Sequence, residues 1–374
     1  MPETVFAPLA TLGERLAGTR VLVLASSQRH VAAVRAALAD SQLTVFDGAR
    51  VHVPIETVEA ATAVLAECTP AALVAIGGGS PIGLGKALRL SHEMPLIAVP
   101  TTYAGSEMTA MYGITRARDK QTGRDERVRP ALVLYDVELT RDMPLPISVQ
   151  SLCNALAHVV SVLSTDSLAQ RGDALFAANA VVSAIDALLA APADRTARDR
   201  ALRAASRCAT VYDLGKPGVQ HGLAHLLGGA FNLDHAALHS ILLPHFITHL
   251  ARIQPALVAE LTSAIGESRT VHDRPTIPNL EVAALAAMAS AEPPERPTMR
   301  DLAIARSGEP DRAAPPEAAR RLIEPPLAIR IRALLGAAGA PITLTALGVN
   351  AAELERVLAT RLDLPARIAL DALT

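Results

Sequence analysis

The feature that most restricts the fold is a junction near residue 72. Ala72-Leu-Val-Ala-Ile76 is a short, wholly apolar run that passes without a spacer into Gly77-Gly-Gly-Ser80, and helical periodicity resumes from Ile82 to Leu90. An apolar run of this length, bounded by glycine, predicts a strand covered on both faces. A helix straight after it predicts a crossover to a parallel neighbour. The surrounding chain repeats the pattern. Val21-Leu-Val-Leu24, Leu43-Thr-Val-Phe46, Leu96-Ile-Ala-Val99 and Leu132-Val-Leu-Tyr135 read as strands, with helices over Val31 to Leu38 and Ile55 to Leu65. Strands alternating with helices mean right-handed crossovers, so the N-terminal part is expected to be an α/β nucleotide-binding domain with a mostly parallel sheet.

The glycines also carry chemistry. Gly77, Gly78 and Gly79 lack Cβ atoms where phosphates would have to approach the backbone. The free N–H groups of the following helix then face the anion, and Ser80 can cap that helix or donate to phosphate. The spacing is neither G-x-G-x-x-G nor a P-loop, because no Gly-Lys-Ser/Thr follows. A second candidate wall is Pro100-Thr-Thr-Tyr-Ala-Gly-Ser-Glu107, which sets Thr101, Thr102 and Ser106 at the end of the next strand. Ligands of open α/β sheets bind at such strand ends. The charged stretch from Arg116 to Arg129 reads as an exposed hairpin or loop.

From Val149 onward strand signals fade and apolar residues recur at helical spacing. Ser148 to Leu163, Ala174 to Leu189 and Ala201 to Tyr212 read as helices, the first carrying Asn154 and His158 on one face. Two domains are expected for 374 residues: 1–147, and an all-α domain over 148–374. A proline-rich insertion interrupts the second at about 266–320. Four of the 11 histidines, His221, His225, His235 and His239, fall within one short stretch. His221 and His225 share a helical face, but His221 and His235 are about four turns apart and cannot share an ion on one straight helix. The chain must bend between them, and Gly228-Gly229 with Asn232-Leu-Asp234 supplies a break. Imidazole suits both metal ligation and proton transfer near neutrality.

Composition removes other classes. Net charge is −2 without a long basic run, and aromatics make up 2% with no Trp, so nucleic-acid binding is not expected. Three distant cysteines argue against a disulfide scaffold or a cysteine zinc site. No signal peptide and no uncharged apolar run of membrane length are read, so the expectation is a cytoplasmic protein without a membrane partner.

Gly77-Gly-Gly-Ser-Pro-Ile-Gly-Leu-Gly-Lys86, Pro100-Thr-Thr-Tyr-Ala-Gly-Ser-Glu-Met-Thr109, Tyr135-Asp-Val-Glu-Leu-Thr140, Asn154-Ala-Leu-Ala-His158 and the block from His221 to Pro244 together resemble the iron-containing alcohol dehydrogenase superfamily. The fold implied is dehydroquinate synthase-like, and the branch most resembled is that of the maleylacetate reductases. The resemblance implies NADH or NADPH as cofactor, a small-molecule substrate and a homodimer. It implies reduction of maleylacetate to 3-oxoadipate in aromatic-compound catabolism. Gly77, Gly78, Gly79 and Ser80 match the pyrophosphate loop, and Thr101, Thr102 and Ser106 match cofactor-contacting positions. His158, His221 and His235 match metal ligands, with Asn154 where metal-dependent members have Asp. His225 matches a histidine implicated in proton transfer. A neutral amide is a poor replacement for a carboxylate on a hard dication. Gly222 and Ala224 stand where the reductases usually carry Lys and Cys, and Ala237 where they tend to carry Glu. Two other readings therefore stand beside the reductase: a metal-dependent alcohol dehydrogenase or ketone reductase, and a non-redox descendant that keeps the fold.

Overall fold

The computed structural model describes residues 1–117, 119–165, 170–216, 218–266, 324–361 and 365–373. The proline-rich insertion expected at about 266–320 lies almost wholly outside the described residues. The N-terminal part holds eight strands: β1 (Glu3–Phe6), β2 (Arg20–Leu24), β3 (Gln42–Phe46), β4 (Ala72–Gly77), β5 (Leu96–Pro100), β6 (Met111–Arg116), β7 (Asp119–Arg124) and β8 (Leu132–Tyr135). Six of them form one parallel sheet in the order β1-β8-β5-β4-β2-β3. β6 and β7 form the separate antiparallel hairpin that the charged 116–129 stretch suggests.

Helices α1 (Thr11–Leu16) and α2 (Gln28–Ala37) cover one face of this sheet, and α3 (Ile55–Cys68) and α4 (Gly79–Arg89) cover the other. Alternation along β2 explains the split. Val21 and Val23 pack toward α1 and α2, while Leu22 and Leu24 pack toward α3 and α4. Because both faces are covered, β4 is buried at every residue. The chain leaves β2 toward β3 but returns to place β4 on the opposite side of β2, so the helices that follow β2 and β4 take opposite faces. That reversal opens a crevice at the carboxyl ends of β2 and β4, where Gly77 and Ser26 meet.

The remaining described helices are α5 (Leu145–Leu163), α6 (Arg171–Ala190), α7 (Arg195–Leu214), α8 (Val219–Phe231), α9 (His235–Ile253), α10 (Pro255–Gly266), α11 (Pro326–Ala337), α12 (Ala351–Leu358) and α13 (Ala366–Asp371). α5 is the hub, buried at almost every position from Ser148 to Leu163 and packed by α6, α7, α8, α9 and α11. α5 and α6 are long and apolar enough to cross a membrane, yet 78% and 56% of their apolar windows are buried by neighbouring parts of this fold. The sheet and these helices share one continuous core through Leu22, Ala75, Leu152 and Ile241.

Candidate active site

The glycine loop is built by three different backbone conformations. Gly77 closes β4 at φ +141°, a region that side chains do not tolerate, and a Cβ there would meet Pro81 Cγ at 2.6 Å. Gly78 is the extended residue before the first turn of α4, and a Cβ on it would press on Thr102 Cγ2 at 3.2 Å. Gly79 opens α4, and nothing lies within 4 Å of where its Cβ would be. Ser80 lies inside the first turn of α4, and Gly78 occupies the capping position. Thr101 donates its N–H to Gly77 O at 3.0 Å, so the β5 end is bound to the loop. The structure thus brings Gly77, Gly78, Gly79, Ser80, Thr101 and Thr102 to one place at the crevice.

Ser106 is held there from beneath. Lys86, fully buried on α4, donates to Ser106 O at 2.5 Å, Met111 O at 2.9 Å and Thr109 Oγ1 at 3.1 Å. Burial pushes its ammonium down to about 7, against the pull of the Glu107 and Asp213 carboxylates. Burial likewise raises Glu107, which accepts from Tyr135 Oη at 2.8 Å. The same segment reaches the helices. Tyr103 N donates to Ser151 Oγ of α5 at 3.0 Å, and Gly105, at φ +83°, sits so close to α7 that a Cβ would meet Ala209 Cβ at 2.7 Å.

α5 and α7 carry this contact to the histidines. His158 comes from α5, His221 and His225 from α8, and His235 and His239 from α9. The expected break between α8 and α9 exists but sits later than Gly228-Gly229. α8 runs through both glycines and stops at Asn232, which turns left-handed at φ +51°, and Asp234 caps α9 by accepting from Ala237 N at 2.9 Å. Gly228 lets α8 approach Leu238 of α9, with 3.4 Å to a built Cβ. The two helices therefore fold back, and one nitrogen from each of His158, His221, His235 and His239 lies within 4.8 Å of the others.

His225 Nε2 stands 2.8 Å from His221 Nε2, and His239 Nε2 stands 3.1 Å from His235 Nε2. Tyr212, at the end of α7, stacks on His158 with centroids 4.3 Å apart and places its hydroxyl 3.0 Å from His221 Nε2. Gln220 is fully buried and pairs with His239. Burial, with His225 a lesser cause, pushes the His158 imidazole down to about 3, and burial holds His239 well below its ordinary value, so both are neutral at pH 7. His158 Nε2 and Asn154 Oδ1, one turn apart on α5, are buried without a hydrogen-bond partner. Four clustered imidazoles, one of them His158 with its Nε2 unpartnered, fit a divalent ion, and Asn154 adds an uncharged oxygen one turn away.

The sequence reading named His158, His221 and His235 as a set and His225 beside them, and the structure places all four together. It gave no role to His239, although His239 lies four residues after His235 on a predicted helix. It missed Tyr212 and Gln220. Gln220 had only adjacency to His221 as a signal, and Tyr212 had none, because its contact depends on how the end of α7 meets α8.

Residues 2–137 match the iron-containing alcohol dehydrogenase family, and residues 148–303 match the C-terminal region of the same family. A maleylacetate reductase of Burkholderia cepacia is 40% identical over 264 residues, covering 68% of this chain and 74% of that protein. One from Pseudomonas knackmussii is 39% identical over 296 residues, covering 75% of this chain and 81% of its own. The crystal structure of maleylacetate reductase from Agrobacterium tumefaciens superposes with a TM-score of 0.75 at 28% identity, covering 100% of this chain and 96% of that one. The glycine crevice and the histidine group are thus set in a fold shared with these proteins. The protein belongs to the iron-containing alcohol dehydrogenase family and within it resembles the maleylacetate reductases.

Proposed function

We propose that this protein is a nicotinamide-dependent reductase of the maleylacetate type, with the domain boundary near residue 147. The cofactor's pyrophosphate rests on the α4 N-terminus, against Gly77, Gly78, Gly79 and Ser80, with Thr101, Thr102 and Ser106 beside it. Hydride passes from NADH or NADPH to an electron-poor carbon of an unsaturated oxo-acid, one proton is added, and oxidised cofactor and the saturated oxo-acid leave. With maleylacetate the product is 3-oxoadipate.

The observation that carries this reading is the imidazole pair His225–His221 at 2.8 Å, extended by Tyr212 Oη at 3.0 Å. A hydrogen-bonded pair of this kind can deliver a proton and be recharged from behind. His225 supplies or relays the proton, a contribution typically worth about 10²–10⁴-fold. His158, His221 and His235 aim donors at the substrate carbonyl, where negative charge builds as hydride arrives. Because burial keeps His158 neutral, it offers a hydrogen bond or a lone pair without repelling a cation. A divalent ion on His158, His221 and His235 would, when bound, supply Lewis-acid polarisation at the same carbonyl.

The test mixes purified protein with NADH and maleylacetate, and with NADPH in parallel, and follows loss of the reduced cofactor. Turnover that disappears in His225→Ala is expected; turnover no better than that variant's would refute the substrate assignment. The four-nitrogen group favours a second reading, a metal-dependent alcohol dehydrogenase. That reading predicts alcohol oxidation by the oxidised cofactor only after metal loading. A homodimer in the cytoplasm completes the proposal, and sedimentation tests the first part.

A further inference from the structure

Among the described residues, the donor set around His158 is four imidazoles, and its fourth member is the least expected. His239 is completely buried, as is Gln220, which touches it twice. Gln220 Nε2 lies 3.4 Å from His239 O, and Gln220 Oε1 lies 3.0 Å from His239 Nδ1. A backbone carbonyl only accepts, so the amide NH₂ must face it, and the amide oxygen must face the ring. That oxygen accepts, so Nδ1 carries the proton, and the lone pair of His239 is fixed on Nε2. Nε2 is the atom that stands 3.1 Å from His235 Nε2, on the side of the other imidazoles.

We propose that His239 is a fourth nitrogen ligand, presented by Gln220, and that these four imidazoles select zinc, cobalt(II) or nickel(II) over magnesium and manganese. Three lines support it. His158 Nε2 is buried with no protein partner, as a ligand atom would be. A tetrahedral ion with bonds of about 2.0–2.1 Å spaces its nitrogens roughly 3.3–3.4 Å apart, and the four here lie within 4.8 Å, so small ring adjustments close the site. Nitrogen donors favour zinc, nickel and cobalt, whereas magnesium and manganese prefer carboxylate and water. Gln220 then acts as a positioning residue, setting tautomer and ring angle through the far nitrogen, a role whose loss typically costs about 10–100-fold in metal affinity.

The experiment titrates cobalt(II) into chelator-treated, full-length protein and records visible absorption without cofactor or substrate. One equivalent is expected, with the strong visible bands of a tetrahedral ion, displaced by zinc but not by excess magnesium or manganese. His239→Ala should abolish the tetrahedral spectrum. Gln220→Leu should weaken cobalt about 10–100-fold, and Gln220→Glu, which still accepts from Nδ1–H, should restore binding. If Gln220→Leu does not fold, the spectrum and the zinc–manganese competition on the unaltered protein still decide. Substoichiometric binding, a six-coordinate spectrum, displacement by manganese, or variants that bind like the parent would each overturn the assignment. Cobalt is read without turnover, so this outcome and that of the reductase assay fall independently.

Discussion

Two glycines in the same loop should respond to alanine in opposite ways. Gly79 begins α4, its φ is ordinary, and nothing lies within 4 Å of an added Cβ. Gly79→Ala should therefore leave folding intact or gain about 0.4–1 kcal/mol from the stiffer unfolded chain. If the cofactor's phosphates occupy that open space, the methyl group displaces an anion from the backbone N–H groups. Losing one hydrogen bond to a charged group costs about 1.5–3 kcal/mol, which is roughly 10- to 150-fold in the NADH dissociation constant. Gly77→Ala tests the other half. Its φ of +141° costs about 1–3 kcal/mol with a side chain, and the 2.6 Å approach to Pro81 Cγ adds about 1–3 kcal/mol of overpacking. Urea unfolding should show Gly77→Ala less stable by about 2–6 kcal/mol, while Gly79→Ala matches the parent. NADH titration by fluorescence should show the intact Gly79→Ala protein binding more weakly than the parent. Unchanged NADH affinity in Gly79→Ala would refute placement of the phosphates at the start of α4.

His225→Gln should lower kcat about 10²–10⁴-fold while leaving the NADH dissociation constant unchanged, because His225 lies on α8 and not on the glycine loop; steady-state kinetics with a cofactor titration checks both. His245, whose Nε2 is buried without a partner, is pushed down to about 4, first by burial and then by Arg332. The unfolded chain therefore binds a proton that the folded protein refuses between about pH 6.5 and 4, so stability falls as pH falls through that window. Near pH 5 the loss is about 2 kcal/mol relative to pH 8, and His245→Leu should remove that part of the pH dependence in urea melts. Arg198 is buried and donates to Pro192 O at 2.7 Å, Ser148 Oγ at 2.7 Å, Met143 O at 2.9 Å and Tyr103 Oη at 3.3 Å. Arg198→Met removes all four donations from a buried cation, although Ser148 Oγ still donates to Met143 O, and should destabilise by about 1.5–3 kcal/mol, with Arg198→Lys recovering only part of the loss because one ammonium cannot span the four acceptors.

The fold was legible wherever the signal was local. The strands from Val21, Ala72, Leu96 and Leu132 appear because a strand covered on both faces must be apolar throughout, and the edge strand from Leu43 appears beside them. β1 was not read, because Glu3–Phe6 is an edge strand whose existence depends on Leu132 to Tyr135, more than a hundred residues away. α4 begins at Gly79 and not near Ile82. Glycines and Pro81 lower helix propensity, but in a first turn the missing proline N–H would have no intrahelical partner anyway, so Pro81 does not delay the helix. α8 overruns Gly228-Gly229 for a tertiary reason: Gly228 lets α9 approach closely, and Asn232 tolerates the left-handed turn that the glycines do not supply.

The site divides along the same line, and the division bears on chemistry. Histidines four apart, His221 with His225 and His235 with His239, announce shared helical faces. The family resemblance identifies His158 with them. What the sequence does not announce is the protonation pattern. That depends on Gln220 turning its amide toward His239, on Tyr212 crossing from α7 to His221, and on burial deep enough to keep His158 and His239 neutral. These set which nitrogen bears a proton, and therefore whether a given imidazole donates to a carbonyl or binds a cation. With Asn154 uncharged, the histidine group among the described residues is imidazole alone. A bound dication would turn its charge toward the substrate, and a metal-free pocket would offer imidazole hydrogen bonds in its place. Either state suits the oxyanion that forms when hydride adds to an unsaturated oxo-acid, and a carboxylate at position 154 would oppose that oxyanion in both.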